Sequence, residues 1–142
     1  MKKTFVVIIG WLWCALAIAQ SDSTTFRTYI QNDEYKVYLR INFYDQNITI
    51  PGQELYGLLP GYLGKIHNSF CWPIIAVEVK EKKANLQMVN DFGSEDLEAT
   101  LTQKNDSTYI LKQGKGSTIK VPGDGKWVKL PSPLEFKRKM GK

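Results

Sequence analysis

Apolar and polar residues alternate with a period of two over much of this chain, the signature of strands with one face buried. The clearest run is residues 35–44. Tyr35, Val37, Leu39, Ile41 and Phe43 fall on one face, and Lys36, Tyr38, Arg40, Asn42 and Tyr44 on the other. Asp45-Gln46-Asn47 reads as a turn. Ile48 and Ile50 restart the alternation, which Pro51-Gly52 ends, since proline lacks the ladder N–H and glycine accepts unusual dihedrals.

From Trp72 onward the pattern repeats at short intervals. Ile75, Val77 and Val79 form one apolar face, then Ala84, Leu86 and Met88, then Leu97, Ala99 and Leu101. Tyr109 with Leu111, Ile119 with Val121, residues 127–130 and residues 134–136 complete the series. Turns fall at residues 81–83, 90–93, 105–107, 114–116 and 122–125, and the Asp124-Gly125 pair is a hairpin signal. Closely spaced reversals predict an antiparallel up-and-down meander of about eight to ten strands, all-β, not βαβ units. Curling shut into a barrel removes the exposed edges of such a meander. A two-layer β-sandwich is the alternative.

Residues 52–70 break the pattern. They hold four glycines and Pro60 among Leu55, Tyr56, Leu58, Leu59, Tyr62, Leu63 and Ile66. Two readings stay open: a short helix and loop packed over one barrel end, or an irregular strand pair bent at its glycines.

The first 19 residues read as a secretory signal peptide. Lys2 and Lys3 precede an apolar stretch from Phe5 to Leu16, and Ala17-Ile18-Ala19 precedes Gln20. Cleavage near Ala19 implies a periplasmic or secreted protein with no stable membrane span after processing, because the apolar run falls short of the ~20 residues a spanning helix needs. The organisation is therefore a leader at 1–19, a flexible lead-in at 20–26, a single β domain at 27–138 and a basic tail at 139–142. The 123 residues left from 142 suffice for one domain with its own core.

The net charge of +5 misleads. Of 19 basic residues, two lie in the leader and four in the last six positions, leaving 13 in the body against 14 acidic ones. No basic face is implied, and nucleic acid is not an expected partner. Cys71 is the one cysteine outside the leader, and its neighbours Phe70 and Trp72 predict burial.

Catalytic and metal motifs are sparse. A serine triad would need the single histidine, His67, and no Gly-x-Ser-x-Gly elbow is present. A Cys71–His67 dyad has only local spacing behind it. Zinc requires several Cys or His, and the acidic cluster at Asp91, Glu95, Asp96 and Glu98 lacks an EF-hand pattern. No catalytic residue, metal or cofactor is predicted, and the chain reads as a non-enzyme. Aromatic residues with polar tips near the glycine-rich segment are the candidate ligand- or partner-binding set: Tyr56, Tyr62, His67, Phe70 and Trp72. Trp127 reads as structural.

The order of motifs from Asn90-Asp91-Phe92-Gly93 through Thr108-Tyr109 and Gly116-Ser117-Thr118 to Lys126-Trp127-Val128-Lys129-Leu130-Pro131 resembles the lipocalin-like (calycin) barrels. It is similar, in particular, to small exported domains of Gram-negative gut bacteria. The resemblance implies a non-enzymatic binding role with no fixed ligand. The leading expectation is an exported barrel that binds a small apolar or amphipathic ligand. The alternative is an inhibitor or immunity-type module whose residues 52–70 insert into an extracytoplasmic hydrolase, and the third reading is a small hydrolase.

Overall fold

The computed structural model describes residues 24–91 and 93–139. The leader expected at 1–19 lies outside the described residues, as does most of the basic tail. Among the described residues ten strands follow one another: β1 (Arg27–Asn32), β2 (Val37–Asn42), β3 (Gly61–Lys65), β4 (Asn68–Lys80), β5 (Lys83–Val89), β6 (Asp96–Asn105), β7 (Thr108–Gly116), β8 (Lys120–Pro122), β9 (Trp127–Lys129) and β10 (Leu134–Arg138). Eight close into an antiparallel barrel in the order β1-β10-β7-β6-β5-β4-β3-β2, and β8 and β9 form a separate hairpin. This is the closed meander that the alternation predicts, with the architecture of a lipocalin-like barrel.

The period of two sets the register. Leu39 pairs with Leu63, Leu63 with Trp72, and Leu86 with Ala99, so successive strands bring apolar residues to the same inner level. An eight-stranded barrel has an interior just wide enough for side chains to fill. Ile30, Leu39, Leu63, Trp72, Met88, Leu101, Tyr109 and Phe136 are fully buried in one continuous core.

The inward face expected at Ile75, Val77 and Val79 is corrected at its first member. A register shift between Ile74 and Ala76 adds a residue to β4. Ile74 is buried in place of Ile75, which is 44% exposed, while Val77 and Val79 pack against the core. A bulge bends its strand, and this one lets the 13 residues of β4 wrap around the barrel.

Each end of the barrel is stoppered differently. At one end Phe26 stacks on Phe43 at 5.3 Å and meets Tyr109 edge-on at 6.3 Å. The Tyr109 hydroxyl donates to the Thr25 carbonyl there, so Thr25 and Phe26 are held in the packed domain. At the other end the β8–β9 hairpin folds inward and buries Ile119, Val121 and Leu130 in the main core. Gln113 fastens it: its side-chain oxygen accepts from the Ile119 N–H at 2.8 Å, and its amide donates to the Leu130 carbonyl at 3.2 Å.

Candidate functional site

Of the two readings of residues 52–70, the irregular strand pair describes the second half, where β3 pairs with the start of β4 across a register shift at Gly64/Lys65. Residues 44–60 form no strand from Ile48 to Ile50 and hold one 3-10 turn, at Glu54–Tyr56. The chain leaves β2, runs along the outer wall and returns to β3. A single bridge, Ile48 to Leu59, ties its two limbs together. Ile50 and Leu59 sit with Tyr62 and Cys71 in a second, smaller core on the outside of the barrel, flanked by Tyr38, Ile48 and Tyr56.

Gly64 makes this outer core possible. It opposes Tyr38 across the β2–β3 ladder, and a Cβ there would lie 2.5 Å from Tyr38 Oη and 2.8 Å from Cε1. The tyrosine ring therefore lies across β3 in the space that glycine leaves. From there it stacks on Tyr29 at 5.2 Å and meets Tyr62 edge-on at 5.9 Å. Burial, and the neighbouring Tyr62 hydroxyl after it, push the Tyr38 phenol well above its ordinary range.

At the tip the chain tightens. Tyr56 N–H donates to the Gln53 carbonyl and Gly57 N–H to the Glu54 carbonyl, making one 3-10 turn at Glu54–Tyr56. Gly52 and Gly57 both take positive φ, 81° and 68°, a conformation glycine adopts at no steric cost. The Gln53 side-chain amide donates to Asp91, in the β5–β6 turn, and the same Asp91 oxygen faces Cys71 Sγ at 3.9 Å. This framework leaves Leu55 fully exposed and Leu58 68% exposed, while Leu59 is buried.

The five residues singled out from the sequence divide into three places. Tyr56 and Tyr62 belong to the outer core. Phe70 and Trp72 lie on the opposite face of β4, in the main core. His67 is exposed in the β3–β4 turn with φ 62°. Cys71 is buried as expected, but by Ile50, Leu59 and Tyr62, since its sequence neighbours Phe70 and Trp72 point the other way. Burial first, then the Asp91 carboxylate, push the Cys71 thiol up to about 12. A thiol so held is protonated at neutral pH and is a poor nucleophile.

At the hairpin end Trp72 donates its indole N–H to the Lys120 carbonyl at 2.9 Å, and Phe70 meets Trp127 edge-on at 5.0 Å. Between them lies a depression of about 230 Å³, whose rim carries Asn90, Ser94, Glu95 and Lys120. Trp127, read from the sequence as structural, meets Phe70 but is 55% exposed there, an outward position that the inward phase of Val128 and Leu130 already implies. A shallower hollow of about 660 Å³ lies on the outer wall across β4 to β7, bordered by Glu78, Asn85, Gln87, Glu98 and Lys112. Among the described residues no group of three or more His, Cys, Asp or Glu is placed to hold a metal, and no helix is long and apolar enough to cross a membrane.

No family model, no curated protein and no solved structure matches this chain.

Proposed function

We propose that this chain is an exported, non-enzymatic protein-binding module of the inhibitor or immunity type, which presents residues 51–59 to an apolar cleft on an extracytoplasmic protein, a hydrolase being the fitting class. The observation that carries this reading is a fully exposed Leu55, with Leu58 beside it, on a segment whose backbone is already fixed. A tip whose backbone is already fixed loses less conformational entropy on docking, so the area its leucines bury is offset by a smaller ordering cost. The Ile48–Leu59 bridge, the 3-10 turn and the Gln53–Asp91 bond supply that rigidity. The leader at 1–19 supports the extracytoplasmic address. A ligand inside the lumen, the leading expectation from the sequence, has less support, because Trp72, Tyr109 and Phe136 occupy that space.

The test is affinity capture from extracellular and periplasmic fractions of the source cells, with the full chain and with Leu55→Asp/Leu58→Asp as baits. A partner recovered by the first and lost by the second, at unchanged melting temperature, supports the reading. Identical recovery by both baits overturns it. Self-association that the same substitutions abolish would replace a foreign partner with a second copy of this chain.

A further inference from the structure

We propose that the depression at the hairpin end of the barrel, between Phe70, Trp72 and Trp127, is a saccharide-binding site that takes one pyranose ring. This inference does not rest on the leucine-bearing tip: the two share no residue, although Gln53 of the tip bonds Asp91 in the same β5–β6 turn that supplies Asn90, Ser94 and Glu95 to the rim.

The chemistry of the walls selects the ligand class. The floor is aromatic: Phe70 reaches the depression with Trp72 almost fully covered beneath it, and the only N–H the Trp72 ring carries is already donated to the Lys120 carbonyl. A ligand group pressed against that floor finds no free hydrogen-bonding partner on the ring and must be apolar. The perimeter is the reverse. Ser94, Glu95 and Lys120 border the opening, and among the described residues Glu95 and Lys120 form no ion pair within 4.0 Å. Their charged ends are left to water or to a ligand. Asn90 is committed to its own turn, accepting from Ser94 and Glu95 and donating to the Ser94 hydroxyl, so it shapes the rim and does not reach for a ligand.

An apolar floor inside a polar ring matches a pyranose, which has a C–H face and hydroxyls around its edge. An aromatic amino acid fits less well, because its polar groups gather at one end. The volume of about 230 Å³ admits one sugar ring and not an extended lipid chain. Trp127 gives the site its open wall. Its ring is held edge-on by Phe70 at 5.0 Å yet is more than half exposed, and an indole in that state offers a face for C–H stacking. The hairpin that carries it is fastened to the barrel by Gln113 and by the Trp72–Lys120 bond, so the wall is set before a ligand arrives.

The experiment follows the tryptophan indole N–H signals by NMR in protein expressed from the full chain, with Trp72→Phe and Trp127→Phe used for assignment. Glucose, galactose, mannose, N-acetylglucosamine and diacetylchitobiose are titrated separately to ~50 mM, the range in which single-ring binding is read. At least one of them is expected to shift the Trp127 signal saturably. Trp127→Ala, followed at the Trp72 indole N–H and the backbone amides around the site, should weaken that binding at least tenfold, and Glu95→Gln several-fold, while Leu55→Asp leaves it unchanged. No saturable shift with any of the five sugars overturns the proposal. So does binding that survives Trp127→Ala, or a response to free phenylalanine in place of every sugar. A Trp127→Ala protein that has lost its fold would be recognised by loss of the dispersed amide spectrum, and Glu95→Gln then decides: sugar binding that it leaves unweakened overturns the proposal.

Discussion

Replacing Gly64 by alanine tests the outer core at its tightest point. The backbone at Gly64 is not in the left-handed region, so the cost is purely one of space. An added Cβ falls on the Tyr38 ring, close to Cζ, Oη and Cε1, and the ring must leave its bed on β3. It then forfeits its stack on Tyr29 and its edge contact with Tyr62. Two such ring contacts are worth about 1–3 kcal/mol together. The alanine also restricts the unfolded chain, which returns roughly 0.4–1 kcal/mol. A net loss of about 1–2 kcal/mol is expected in urea unfolding followed by circular dichroism. The decisive measurement is a double-mutant cycle. Once Tyr38→Ala has removed the ring, Gly64→Ala has nothing to displace and should be neutral or stabilising. The coupling between the two positions should then reach about 2 kcal/mol. If Gly64→Ala costs the same in both backgrounds, within about 0.3 kcal/mol, the steric account is wrong.

Gln113→Ala should cost about 1–3 kcal/mol, since it strips partners from both the Ile119 N–H and the Leu130 carbonyl. Hydrogen exchange at Ile119 should accelerate ahead of the barrel strands. The Cys71 thiol, pushed up to about 12 by burial and by Asp91 against an ordinary 9.0, should resist alkylation in the folded protein, and Asp91→Asn should speed the reaction by lowering that value. The sign for stability follows: folding retains a proton that the unfolded chain releases near 9.0, so this contribution is complete below that pH. It is lost as pH rises toward about 12. Tyr38 and Tyr109, both raised first by burial, act in the same direction. An alkaline unfolding midpoint that Asp91→Asn leaves unmoved would contradict the assignment.

The barrel was legible because its information is periodic. Val37, Leu39 and Ile41 declare an inner face by alternation alone, and Pro122-Gly123-Asp124-Gly125 declares its hairpin by turn chemistry. Where one residue breaks the phase, the reading fails locally: the bulge before Ala76 leaves Ile75 outside, and no residue type announces it. The candidate site was less legible for a different reason. Phe70, Cys71 and Trp72 are neighbours in sequence but alternate between two faces of β4, so proximity along the chain spread them over two cores. Which face each served depended on residues 48–59 covering the outer wall, and that long-range docking carries no period. Trp127 reads as structural from its short strand between Lys126 and Lys129, and it does meet Phe70 edge-on, but only the phase of Val128 and Leu130 shows that it also faces outward.

Leu58 and Leu59 give the sharpest contrast between fold and surface, being adjacent, chemically identical and oppositely placed. Leu59 pairs with Ile48 and closes the outer core, whereas Leu58 is 68% exposed. Truncating a buried leucine to alanine removes its transfer energy and leaves a cavity, about 2–5 kcal/mol. Leu59 sits in a small satellite core that can partly collapse, so the lower half of that range is expected. Leu55→Asp removes nothing that the folded chain buries and Leu58→Ala removes little, so both should stay within about 0.5 kcal/mol of the parent. An apolar side chain held mostly in water contributes little to its own fold, and that is the physical ground on which a partner at the tip is proposed. Unfolding curves for the three variants decide the matter. If Leu55→Asp or Leu58→Ala destabilises as much as Leu59→Ala, these leucines are packed within the protein in solution, and the docking surface does not exist.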